Sequence, residues 1–65
     1  MDKETYMDQL LTVLQAAQEA GCHEETVRRA YRSRFLTALP FGRRNKRIRR
    51  RDLLTWQNAG MKTVN

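Results

Sequence analysis

AAQEAGCHEETVRRAY, residues 16–31, is the stretch on which the reading of this chain turns. Ala16, Ala17 and Ala20 are small enough to let a second helix approach closely, and Gly21 stops the run. Glu24 and Glu25 then stand where negative charge complements the positive end of a new helix. At 100° per residue Val27, Ala30 and Tyr31 share one face, whereas Glu25, Arg28, Arg29 and Arg32 fall on an opposing arc. Ala17, Gly21 and Val27 lie four and then six residues apart, a spacing with a steric reason: the alanine sits where two helices nearly touch, the glycine makes the turn, and the valine anchors the second helix beneath them. Ala16, Ala20, Cys22 and Ala30 fill the remaining positions expected to be small or apolar. The stretch therefore predicts two helices, at 13–20 and 24–34, meeting at a tight corner.

Upstream, Thr12 followed by Gln15 fits a capping box, and Leu11 is placed to staple against Ala16. Residues 1–9 are polar without clear periodicity and read as a flexible arm, frayed or forming a short weak helix. Downstream, Phe35, Leu36, Leu39 and Phe41 have no helical spacing, and Pro40 is tolerated in an edge strand. Gly42, Arg43, Arg44 and Asn45 supply turn chemistry ahead of Ile48, which alternates with Arg47 and Arg49, so a short hairpin with Ile48 inward is expected. A closing helix follows from about Arg51, with Asp52 in its first turn, Leu53 and Trp56 inward and Gly60 near its end. Residues 10–60 thus form one domain and residues 61–65 a loose tail. Tyr31, Phe35 and Trp56 fall with the apolar faces and are expected in the core.

A chain of 65 residues leaves only a thin core, since a domain of this size buries about 60% of its unfolded surface. An enclosed active site would consume much of it, so the expectation is a non-enzymatic chain that binds by an outer surface, without a small-molecule substrate. No apolar run approaches the roughly 20 residues of a membrane span and no secretion signal is evident, which predicts a cytoplasmic protein without a membrane partner. Cys22 and His23, one of each, offer no metal constellation, no cofactor is indicated, and they read as a small turn residue and a cap. Charge is segregated: residues 1–27 hold six acids and one base, whereas residues 28–51 hold ten arginines and Lys46 with no acid. Such a half faces a polyanion.

The stretches LLTVLQAAQEAG, ETVRRAYRS and FGRRNKRIRRRDLLTW, between Leu10 and Trp56, resemble the opening helix, recognition helix, and wing with Asp-Leu-x-x-Trp closing segment of the excisionases, or recombination directionality factors. The resemblance implies a mainly α fold with a small β-hairpin, a MerR-like winged helix-turn-helix. It departs from the family's pattern at His23, Glu24, Glu25 and Pro40. It also implies a phage or mobile-element protein that binds repeated attachment sites on double-stranded DNA, associates with itself there, bends the DNA, and contacts an integrase to favour excision. On that reading Arg28, Arg29 and Arg32 address the major groove and its phosphates, since arginine bridges G O6 and N7. Glu24 and Glu25 are placed to accept from cytosine, although a helix-start role suits them better. Arg43, Arg44, Lys46, Arg47 and Arg49 reach phosphates or the adjacent minor groove. Alternatives from the same residues are a small transcriptional regulator, or an arginine-rich binder of RNA, single strands or membranes that orders only on its partner.

Overall fold

The computed structural model describes residues 2–63, and its elements follow from identifiable local signals. Helix α1 (Lys3–Met7) is capped by Asp2, whose carboxylate accepts from the Thr5 N–H at 2.8 Å. Strand β1 (Leu10–Leu11) leads into α2 (Val13–Ala20) through the expected capping box: Thr12 Oγ1 accepts from the Gln15 N–H at 3.0 Å, and Gln15 Oε1 accepts from the Thr12 N–H at 2.9 Å. Gly21, with φ +70, closes α2, as the Cys22 N–H returns to the Ala17 carbonyl. Helix α3 (Glu24–Arg32) is capped by His23, whose Nδ1 accepts from the Glu25 N–H at 3.1 Å. Strands β2 (Leu39–Phe41) and β3 (Asn45–Arg49) form the hairpin, and α4 (Arg50–Asn58) follows without a break.

β3 is the middle strand of an antiparallel sheet of order β1-β3-β2, with Leu11 opposite Ile48 and Leu39, Pro40 and Phe41 opposite Arg47, Lys46 and Asn45. Among the described residues four helices and three strands make the architecture mixed α/β, so the small hairpin expected from the sequence is one part of a larger sheet. Leu11 reaches the core as a strand residue paired with Ile48. Around that pair the core assembles from Ala16 and Ala17 of α2, Val27 and Ala30 of α3, Leu36, and Leu53 and Trp56 of α4.

Expectations change at the end of α3 and in the tail. α3 stops at Arg32 because Arg34 takes a left-handed conformation, φ +66, and the N–H groups of Arg34 and Phe35 turn back to the carbonyls of Tyr31 and Ala30. That reversal puts Leu36 into the core and leaves Phe35, expected there, 47% exposed. Of the two readings of the first nine residues, frayed or a short helix, the structure has the short helix, α1, and ties the segment to the body through the Arg50 N–H, which donates to the Gln9 carbonyl at 3.0 Å. In the segment read as a loose tail, Met61 packs against the core and the Lys62 carbonyl accepts the Trp56 indole N–H at 2.9 Å. What the sequence predicts of Met1, Val64 and Asn65 lies outside the described residues.

Candidate nucleic-acid interface

The eleven bases of residues 28–51 separate into two sets once their partners are known. On α3 the arginines are tied to the acids one or two turns earlier: Arg28 donates to Glu24 at 2.9 Å and lies 3.8 Å from Glu25, while Arg29 and Arg32 lie 3.7 and 3.4 Å from Glu25. Glu24 and Glu25 are therefore engaged along their own helix, consistent with spacings of three, four and seven residues that stack side chains on one face. Arg29 and Arg32 still extend outward, with side chains 60% and 61% exposed.

At the start of α4 three consecutive arginines each find a different acid. Arg49 Nε donates to Asp52 at 2.9 Å, a bond that raises the arginine's already high pKa. Arg51 Nε donates to Asp8 at 2.8 Å. Arg50 is buried: its guanidinium makes a two-pronged pair with Glu19, donates to the Tyr6 carbonyl at 3.2 Å and to the Gln9 side chain, and lies 4.0 Å over the Tyr6 ring. The hydrogen bond from Arg50 holds the Glu19 carboxyl below its ordinary value of 4.5. Arg50 thus clamps α1, α2 and α4 together. Its role has no signature in the sequence, because its side-chain partners lie 31 or more residues away.

Among the described residues, Arg34, Arg43, Arg44, Lys46 and Arg47 are in salt-bridge contact with no carboxylate. Four of these five belong to the β2–β3 hairpin and its turn. Gly42, φ +72, starts that turn in a conformation open to glycine, and Arg43 and Arg44 project from it exposed. Arg47 has its guanidinium 4.1 Å over the Phe41 ring and donates to the Lys46 carbonyl at 3.2 Å.

Arg28 of α3 and Arg44, Lys46 and Arg47 of the hairpin line one groove of 390 Å³, with Thr12, Val13 and Leu14 from the start of α2 on its wall. The structure brings these four predicted residues together. Arg29, Arg32 and Arg43 lie outside its lining on exposed surface, and Arg49 is turned to Asp52 instead. The sequence locates the capping box at Thr12 but gives no sign that this positive end of α2 belongs to the groove. A slightly larger groove, 410 Å³, runs past Gln9, Leu10, Gln15, Gln18 and the Glu19–Arg50 pair. It offers no uncompensated cation.

Among the described residues no group of three His, Cys, Asp or Glu side chains converges to hold a metal ion, and no helix is long and apolar enough to cross a membrane. Burial pushes the Cys22 thiol above its ordinary pKa, which disfavours the thiolate. No family model, curated protein or solved structure matches the chain.

Proposed function

We propose that this chain is a winged helix-turn-helix domain that binds double-stranded DNA without enzymatic activity, with α2 and α3 as the helix pair and the β2–β3 hairpin as the wing. One observation carries the reading: Arg28 from α3 and Arg44, Lys46 and Arg47 from the wing converge on one groove, and the three wing cations meet no carboxylate among the described residues, while Arg49, Arg50 and Arg51 are taken up by Asp52, Glu19 and Asp8. Cations without partners repel one another, and a polyphosphate backbone relieves that repulsion. In this assignment α3 presents Arg28, Arg29 and Arg32 to the major groove, and the wing cations meet phosphates or the neighbouring minor groove.

The resemblance in the opening helix, the second helix and the closing segment narrows the proposal to an excisionase. It is an accessory that occupies attachment-site DNA beside further copies of itself, bends it and contacts an integrase. Bending a short site costs about 1–6 kcal/mol, more than one small domain readily supplies, which favours neighbours bound side by side.

Fluorescence anisotropy on labelled duplex DNA across a salt series tests the DNA reading. Arg43, Arg44, Lys46 and Arg47 give an expected slope of log affinity against log salt of roughly −3.5 to −4, to which Arg28, paired with Glu24, adds less than one further phosphate. Arg28→Ala is expected to relax base preference, and Arg47→Ala to weaken all sequences about equally. A flat salt dependence sinks the proposal. Stepwise, bent complexes on attachment-site DNA, with stimulated excision, support the narrower role; promoter occupancy without any effect on excision replaces it with transcriptional regulation.

A further inference from the structure

Phe41 is a large apolar residue, 49% exposed, placed at the head of the most cationic element of the molecule. A lone exposed phenylalanine is ordinary on a protein surface. This one is built in. Pro40 before it fixes φ and sits opposite Lys46; Gly42 after it reverses the chain; and Asn45 faces it across the hairpin. Arg47, two residues along β3 from Asn45, lies diagonally across the strands and covers one ring face at 4.1 Å. Arg43, Arg44, Lys46 and Arg47 belong to the same hairpin and turn, none of them in contact with a carboxylate among the described residues.

Phosphates drawn to those four cations would bring the base stack up to the ring. An apolar wedge carried on a basic minor-groove element separates adjacent base pairs and kinks the duplex, and phenylalanine is among the residues that serve. We infer that Phe41 is such a wedge, entering one base step from the minor groove, with Arg47 holding the ring in its inserting orientation and reaching a flanking phosphate. This rests on the DNA-binding reading above and adds a stacking site that charge alone does not provide. The occupant is a duplex base step, because the unpaired cations of the hairpin call for a polyphosphate and the exposed ring beside them for a stacking partner that the same molecule carries.

The test measures binding of the full chain to a short mixed-sequence duplex and to the same duplex carrying a central mismatch, which lowers the cost of unstacking. The wild type is expected to prefer the mismatched duplex by about tenfold, and the fluorescence of 2-aminopurine beside the mismatch should rise on binding. F41A should bind both duplexes alike, with no 2-aminopurine response and an unchanged salt slope; R44A should keep the preference while reducing the slope by about one. F41L retains an aliphatic wedge without the ring under Arg47, and is expected to keep most of the preference. It also carries the test if F41A melts early by circular dichroism. A wild type that binds both duplexes equally, an F41A variant that keeps the preference, or a folded F41L without it overturns the wedge and leaves DNA binding standing. A wild type that binds no duplex at low salt removes both.

Discussion

Arg49, Arg50 and Arg51 are chemically one motif in the sequence and three different devices in the structure, turned to Asp52, Glu19 and Asp8 respectively. Only Arg50 is buried, and a buried guanidinium needs its full set of acceptors, because desolvation is offset only by good pairing. Arg50→Ala is expected to lower Tm by roughly 10 °C, and Arg50→Lys to recover less than half of that, since an ammonium cannot reproduce the two-pronged contact. A Tm within two or three degrees of wild type for Arg50→Ala would falsify the clamp. Acid tests the same contact from the other side. The Arg50 bond lowers the Glu19 pKa in the folded state, so its contribution is complete above the unfolded value of 4.5 and is lost as pH falls through the depressed folded value. Glu19→Gln should therefore flatten the fall in Tm below about pH 5, as followed by circular dichroism. Arg34 supplies a second case. Its φ of +66 costs a side-chain residue about 1–2 kcal/mol, partly offset by glycine's larger folding entropy, so Arg34→Gly is expected to raise stability by about 0.5–1 kcal/mol in denaturant melts. That conformation also explains why Phe35 lies outside the core in which its apolar character places it: a left-handed arginine has no sequence signal, and it exchanges which of Phe35 and Leu36 points inward.

Elements whose ends carry their own chemistry are legible in the sequence. Thr12 with Gln15, Gly21, and Glu24 with Glu25 delimit α2 and start α3 within a few residues of chain, so local hydrogen bonding and charge suffice to locate them. β1 is not legible, because two leucines become a strand only by pairing with Arg49 and Ile48 far along the chain. Of the ten predicted site residues, the groove gathers Arg28, Arg44, Lys46 and Arg47. For Glu24, Glu25 and Arg49 the sequence gives the charge but not the partner each takes. On α3 the two glutamates hold the arginines in place and also compete with phosphate for them. Glu25 touches three arginines, all partly exposed, so neutralising it costs the helix little and frees Arg29 and Arg32, while Arg28 keeps Glu24. Glu25→Gln is accordingly expected to tighten duplex binding severalfold at low salt and to steepen the salt dependence. Weaker binding confined to sites with a particular cytosine would instead mean that Glu25 reads a base.

At the scale of the whole molecule, charge is sorted by partner as well as by position. The acidic first half supplies Asp8 and Glu19 to Arg51 and Arg50, which removes those arginines from any outside ligand. The remaining uncompensated charge concentrates in the wing, inside a body of 37 × 29 × 18 Å. Its longest dimension is about one turn of duplex, roughly 34–36 Å, so one copy neutralises few phosphates and each wing cation is a large share of them. This makes the salt slope a measure of which bases face DNA. Removing Arg43, Arg44 and Lys46 together, as alanines, should reduce the slope by about 3, near 0.9 for each phosphate no longer neutralised. Arg51→Ala should leave it almost unchanged, because Asp8 already neutralises that guanidinium. Arg29→Ala should fall between the two, since Glu25 shares its charge at 3.7 Å. Equal reductions from all three changes would mean that the chain meets DNA as a diffuse polycation, with orientation irrelevant, and the convergence of Arg28 with the wing would then have no functional consequence.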